Sequence, residues 1–157
     1  MSTIYFFKPN QKYGMFSQWY YSLFSEDGKT FSCAEQYMMY YKALVFNDLM
    51  SCEKILNTPD PRLVKQLGRQ IKNFNEHTWK RHRSTIVENG NYLKFTQNLE
   101  LLEELRKIPI GTNFIEASPY DRIWGIGYSK EHAENHVDDW GLNLLGKALE
   151  KVHMRIA

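Results

Sequence analysis

The sequence predicts an α+β fold: a single, mostly helical domain over residues 1 to 157 with a small β-sheet. Three observations point to it. Short runs rich in Ile, Tyr, Phe and Thr fill the opening segment and read as strands. Capping and breaking signals, with apolar spacings of three and four, follow from residue 32 onward. No repeat, low-complexity tract or Pro/Gly-rich linker divides the chain.

Residues 4 to 7 and 30 to 32 read as extended, and Asp27-Gly28 supplies a hairpin-type turn between Leu23-Phe24 and Thr30-Phe31. Ser32, with Glu35 three positions on, has the pattern of a capping box opening a helix over residues 33 to 46. A second helix is expected over 48 to 56, ending before Pro59 and Pro61. A third runs over 61 to 72, where Leu63, Val64, Leu67 and Ile71 keep helical spacing. Gly68 lies inside that helix, which suggests close packing or the approach of a ligand. Further helices are expected at 75 to 89, 91 to 107 and 140 to 154.

A hydrophobic share of 43% with 24% charged residues describes a globular chain with a core of its own, not a disordered one. Nine Phe, ten Tyr and four Trp exceed what a small core needs, so some are expected to line a cavity, with packing the alternative for any one. Cys33 and Cys52 form no C-x-x-C pair, so neither a disulfide framework nor a zinc ribbon is indicated, and a reduced, cytoplasmic setting is expected. The N-terminus lacks the basic region and apolar length of a signal peptide, and no apolar run is long enough to span a bilayer. The net charge is +2, but residues 62 to 83 carry +6, from Arg62, Lys65, Arg69, Lys72, Lys80, Arg81 and Arg83 against Glu76. This basic run is either a solvated helix face or a surface for phosphates and nucleic acid.

The segment from Glu116 to Gly127 concentrates chemistry: Glu116 and Asp121, Trp124, and the glycines Gly125 and Gly127 within twelve residues. Glycines admit a ligand to backbone amides, Trp offers a flat face, and carboxylates hold ribose hydroxyls or move protons. A nucleotide-sugar pocket and a structural turn both fit. Glu35 and Lys42 stand two helical turns apart on one face, beside Met38 and Met39. A carboxylate and an amine so placed can act as acid/base and nucleophile, because a lysine whose pKa is lowered attacks carbonyl carbons. A dipole-favoured Glu with an exposed Lys is the structural alternative. His132 and His136 have an i, i+4 spacing without the H-E-x-x-H order or a third ligand, so no metal is expected. The absence of G-x-G-x-x-G, P-loop and G-x-S-x-G motifs argues against a Rossmann site, a nucleotide triphosphatase and a serine hydrolase.

Taken in order, these motifs resemble the NADAR family, also called YbiA-like. They are Phe16-Ser17-Gln18-Trp19-Tyr20, Phe31-Ser32-Cys33-Ala34-Glu35-Gln36-Tyr37-Met38 with Lys42-Ala43, Leu67-Gly68-Arg69, Trp79, Lys94-Phe95 with Gln97-Asn98, the Glu116-to-Gly127 segment, and Trp140-Gly141-Leu142-Asn143-Leu144-Leu145-Gly146. The resemblance spans nearly the whole chain. It implies a YbiA-like fold and hydrolysis of the N-glycosidic bond between a phospho- or ADP-ribose and a base. The implied substrates are phosphoribosylated intermediates of riboflavin synthesis or guanine carrying ADP-ribose in nucleic acid. The family's motif positions fall on Glu35, Lys42, Glu116, Asp121, Trp124 and Asn143, and its Schiff-base chemistry falls on Lys42.

On this reading Glu35, Lys42 and Asp121 are the catalytic candidates. Ser17, Gln18, Trp19, Arg69, Trp79, Glu116, Trp124, Gly125, Gly127 and Asn143 are the substrate-binding candidates. No cofactor, metal or membrane is called for. The partners expected are a small nucleotide-sugar substrate and, as a further option, ADP-ribosylated nucleic acid. Two departures stand out. Ser17-Gln18-Trp19 replaces the family's usual Ser-Asn-Phe, and His153 stands where the closing helix usually carries Arg, which would make a phosphate contact there weaker or pH-dependent. Arg155 lies two residues further along that helix and points elsewhere. A binding module that recognises ADP-ribose without cleaving it is the alternative reading.

Overall fold

Every residue from Phe31 to Tyr40 is buried, the pattern of an element enclosed on all sides rather than one with a solvent face. In the computed structural model, which describes residues 2–157, this stretch opens the central helix of one of two compact units. In chain order the elements are β1 (Thr3–Phe6), β2 (Phe24–Glu26), β3 (Lys29–Phe31), α1 (Ala34–Val45), α2 (Leu49–Leu56), α3 (Pro61–Gly68), α4 (Glu76–Thr96), α5 (Leu99–Lys107), β4 (Asn113–Glu116), α6 (Lys130–Ala133) and α7 (Leu144–Ile156). Short 3-10 helices lie at Gly14–Phe16 and Glu134–Asp139. The expected α+β, mostly helical architecture is present, with two separate two-stranded sheets rather than one. No helix among the described residues is long and apolar enough to cross a membrane.

One unit comprises residues 21 to 99. Here α1 packs against α2, α3 and α4. Two glycines set the closeness of that packing. A Cβ on Gly68 would lie 2.1 Å from Met39 Sδ, and one on Gly90 would lie 2.6 Å from the Tyr37 ring. Gly68 is therefore explained by close packing, and Gly90 sits inside α4, where the expected helices over 75 to 89 and 91 to 107 left a break. Helix α3 stops at Gly68, four residues short of the expected end, and α4 runs unbroken to Thr96. The break falls at Gln97-Asn98 because their amides have other partners. Gln97 bonds both the N–H and the C=O of Ser25 at 2.8 Å, in place of a neighbouring strand, and Asn98 donates to Leu23 O at 3.0 Å. The β2–β3 hairpin turns through Asp27 at φ 51° and Gly28 at φ 78°, the left-handed pair that such turns require. Asp48, Asn75 and Asp60 cap their helices, the last with Pro61 in the first turn.

At the start of α1 the capping-box expectation needs correction. Cys33 holds the cap position without a side-chain bond, and Gln36, not Glu35, reaches back to Ser32 N, at 2.6 Å. The Gln36 amide also donates to Ile55 O and Thr58 O at 2.9 and 3.0 Å, fixing α1 to the end of α2. Much of the aromatic surplus sits beside it. Phe24, Phe31, Tyr37, Tyr40 and Tyr41 form one ring cluster, and the Tyr37 and Tyr41 hydroxyls both donate to Glu26.

The other unit joins residues 1 to 20 with residues 100 to 157. Strands β1 and β4 pair in parallel, from Thr3 with Asn113 to Phe6 with Glu116. Strand β4 was not foreseen in the sequence. An isolated two-stranded parallel pair is marginal, but α7 covers the outer edge of β4 with side chains. Glu150 accepts from Phe114 N at 3.1 Å, and Asn143 accepts from Glu116 N at 3.0 Å while donating to Phe114 O at 2.9 Å. Helix α7 begins at Leu144 rather than 140, because residues 141 to 145 first donate backbone bonds to the carbonyls of residues 122 to 126. Phe6, Phe16 and Phe114 form the centre of the ring packing, with centroids 5.8 and 5.0 Å apart.

A Cβ on Gly146 would sit 1.9 Å from Phe114 O, a backbone atom of a fully buried residue. Gly146→Ala is expected to lower stability by about 2 kcal/mol or more through overpacking, although alanine gains about 1 kcal/mol over glycine in helix propensity. Urea unfolding checks this: a variant as stable as wild type contradicts the close approach of α7 to β4.

Candidate active site

Lys42 lies in the last turn of α1, where the side chain leaves the core and is only half-buried. Its ammonium donates to Gly68 O at 3.1 Å. It also stands 4.8 Å from the Phe74 ring centroid and 5.6 Å from that of Trp79. Two aromatic faces and a carbonyl stabilise the protonated amine, yet burial lowers the Lys42 pKa below the ordinary lysine value, assisted by Arg69 and opposed by Glu35 and Glu76. Burial thus disfavours the charged form of the amine. Glu35 is buried at 5% exposure, and Trp79 is buried near the start of α4. Arg69 is the exposed cap residue closing α3. The sequence-predicted Glu35, Lys42, Arg69 and Trp79 thus converge within one unit.

Two participants were missed. Phe74, 42% exposed, and Glu76 follow Asn73, which adopts a left-handed φ of 64°. The available signal was a lone aromatic in the polar run Lys72-Asn73-Phe74-Asn75-Glu76. The same unit also encloses Lys94, whose amine is fully buried and whose pKa burial lowers to about 7, with Cys33 opposing the shift.

The Glu116-to-Gly127 segment belongs to the other unit and forms a braced turn. Asp121 Oδ1 accepts from Ile123 N and Trp124 N, both at 2.9 Å, and Ser118 Oγ accepts from Tyr120 N and Asp121 N. Ile126 N donates to Glu116 O. The Ile123, Trp124 and Gly125 carbonyls accept from Leu144, Leu145 and Asn143, so the turn caps α7. Gly125 has a packing reason, since a Cβ there would lie 2.7 Å from Glu116 O. Gly127, at φ 81°, lies under the Arg122 side chain. The Arg122 guanidinium donates to Asp139 O at 2.6 Å. Trp124 and Glu116 are half-buried, and Asn143 is buried in the two bonds that hold β4.

Ser17 and Gln18 are buried and Trp19 half-buried in a short turn of this unit, where Trp19 N donates to Ser17 Oγ at 3.2 Å. His153 is buried, with Nε2 2.9 Å from Ile108 O and its ring edge-on to Phe114. In this chain that position serves internal packing. His136 stacks on Tyr128 at 4.4 Å, and no cluster of three metal-ligating side chains occurs among the described residues.

The electrostatics around Lys42 have opposite signs that can be tested. Glu35→Gln removes a charge that favours the ammonium, so the Lys42 pKa should fall further; Arg69→Gln removes an opposing charge, so it should rise. NMR titration of the Lys42 side chain in the three proteins checks the order, with wild type in the middle and below the ordinary lysine value. An unshifted Lys42, or the reverse order, contradicts this account.

The NADAR domain family matches residues 5–157. The N-glycosidase of Acanthamoeba polyphaga mimivirus is 43% identical over 145 residues, covering 88% of this chain and 85% of the viral protein. A riboflavin biosynthesis protein of Vibrio vulnificus is 29% identical over 150 residues, covering 95% of this chain but 37% of that protein. The NMR structure of the E. coli protein YbiA matches with a TM-score of 0.80 at 24% identity, covering 98% of this chain and 84% of that one, so the YbiA-like fold is established. The chain belongs to the NADAR family.

Proposed function

We propose that the protein is an N-glycosidase that separates a ribose from a base, with Lys42 as the attacking amine. Hydrolysis of N-glycosyl bonds is the activity named for the mimiviral relative, which is similar along most of both chains. The observation that carries the residue assignment is the setting of Lys42: an amine held by Gly68 O between Phe74 and Trp79, with its pKa lowered by burial and a buried carboxylate on the same helix.

The neutral amine attacks the anomeric carbon. The bond from that carbon to the base nitrogen breaks, its electron pair goes to the base, and a proton is delivered to the departing nitrogen. The N-glycosyl lysine loses its extra proton, its nitrogen lone pair expels the ring oxygen from the anomeric carbon, and that oxygen takes up a proton to leave a protonated imine. Water adds to the imine, and expulsion of the amine with loss of the water-derived proton releases the open-chain sugar and restores Lys42. Glu35 tunes Lys42 and moves protons in these steps. Arg69 serves as an anion contact for a phosphate, and Trp79 lends a ring face. The family resemblance alone makes Glu116, Asp121 and Trp124 candidates for binding a ribose and a ring, and Asp121 spends one oxygen on its own turn. Because the family match runs through both units, residues 1 to 157 are taken as one functional domain.

The name of the Vibrio relative supports phosphoribosylated intermediates of riboflavin synthesis as substrates. ADP-ribosylated guanine in nucleic acid is the second reading, favoured by the exposed cations Arg62, Lys65, Arg69, Lys72, Lys80 and Arg81. A hydrolysis assay on the phosphoribosylaminouracil intermediate and on an ADP-ribosylated guanine oligonucleotide tests both. Cleavage of one substrate by wild type, with a loss of about a thousandfold or more in Lys42→Ala at unchanged unfolding temperature, is the expected result. Near-normal turnover by Lys42→Ala refutes the assignment, and ADP-ribose binding without cleavage of either substrate favours a binding module.

A further inference from the structure

We propose that the unit built from residues 1 to 20 and 100 to 157 carries a second ligand site, a groove that takes a nucleotide unit with its base against an aromatic ring and its phosphate on lysines. The groove has a volume of about 400 Å³, and its lining includes Phe7, Lys8, Lys12, Tyr13, Lys130 and Glu131. All of its lining belongs to this one unit, and the proposal does not depend on the activity assigned above.

Three features of the groove fit this ligand. Lys8, Lys12 and Lys130 outnumber the single carboxylate of Glu131, and none of the three has an ion-pair partner among the described residues. The amines come paired with ring faces: Lys12 Nζ is 5.1 Å from the Tyr13 centroid and Lys8 Nζ 6.0 Å from that of Phe7. A phosphate and a base can then be met side by side. Phe7 also pairs with Tyr120 at 6.5 Å, and Tyr120 is 87% exposed, a ring left open to solvent.

The loop that presents these groups is built, not slack. Gln11 N donates to Lys8 O, Gln11 Oε1 accepts from Lys8 N, and Gly14 N donates to Gln11 O. Gly14 is buried where a Cβ would lie 2.1 Å from Pro9 O. Tyr13 is held at φ 63°, a conformation unfavourable for a bulky residue; strain of this kind gathers at ligand sites, where the surroundings enforce it. An acidic peptide would use the lysines but not the ring faces, so the combination points to a nucleotide, free or within a single strand.

Two probes separate those sources: 5′-AMP by calorimetry and a fluorescein-labelled (dT)8 by anisotropy, each with the full chain at low and moderate salt. The expected result is binding of at least one probe, weakened by salt and reduced about tenfold or more in Lys8→Glu/Lys12→Glu. Tyr13→Asn, which keeps a residue tolerant of positive φ but removes the ring, should also weaken binding while unfolding at the wild-type temperature. AMP binding assigns a free nucleotide and (dT)8 binding alone assigns a strand. Failure of both probes, or a smaller loss in the double variant, overturns the proposal. The outcome is read apart from hydrolysis by Lys42, because Lys8, Lys12 and Tyr13 have no role in the steps proposed there.

Discussion

The Gln36 carboxamide fixes where α1 begins, and the position of everything on that helix follows from it. Its oxygen takes the N–H of Ser32 while its nitrogen donates to the carbonyls ending α2 and opening the next loop. Buried amides of this kind are costly unless satisfied and strongly orienting when they are. Gln36 is 2% exposed. Once the first turn is set, the helical repeat dictates the direction of Glu35 and, two turns on, of Lys42. The approach of α3 through Gly68 then does double work. It packs against Met39 and brings the Gly68 carbonyl within 3.1 Å of the Lys42 amine. Structural packing and site assembly are therefore one event in this unit.

Lys42 sits at a balance of opposing terms. Aromatic faces, a carbonyl and two carboxylates favour the ammonium, whereas burial and Arg69 favour the free amine. Burial wins, which is the condition a nucleophilic lysine needs. The other unit solves a different problem, the exposed edge of a short strand. Glu150 and Asn143 act as side-chain surrogates for a third strand along β4, and the Asp121 turn closes the N-terminal end of α7 with its carbonyls. The motif Trp140-to-Gly146 is explained by this arrangement, with Asn143 at φ 51° and Gly146 against the Phe114 carbonyl.

Local chemistry was legible in the sequence. The Asp27-Gly28 hairpin, the proline-bordered helices and the Glu35/Lys42 face all follow from rules that act over a few residues. What was not legible depended on distant partners. Gln97 ends a helix because Ser25 is there to be bonded, and Gly90 continues one because Tyr37 needs the space. Ser32 with Glu35 three positions on suggested a capping box, but the buried Gln36 amide makes the reach-back bond. Phe74 escaped notice because no periodicity marks a loop residue, and Glu76, the first residue of α4, entered the sequence reading only as the acid within the basic run. Family membership was readable from the order of seven motifs, since each constrains a different part of the chain.

The central claim is that Lys42 forms the covalent bond to the sugar. Incubating the protein with a cleavable N-riboside in the presence of borohydride, followed by peptide mapping by mass spectrometry, tests it most directly. The account predicts a stable sugar adduct on the peptide containing Lys42 and none in Lys42→Ala protein. An adduct confined to Lys94 or another lysine, or full turnover with no trapped species, would contradict it.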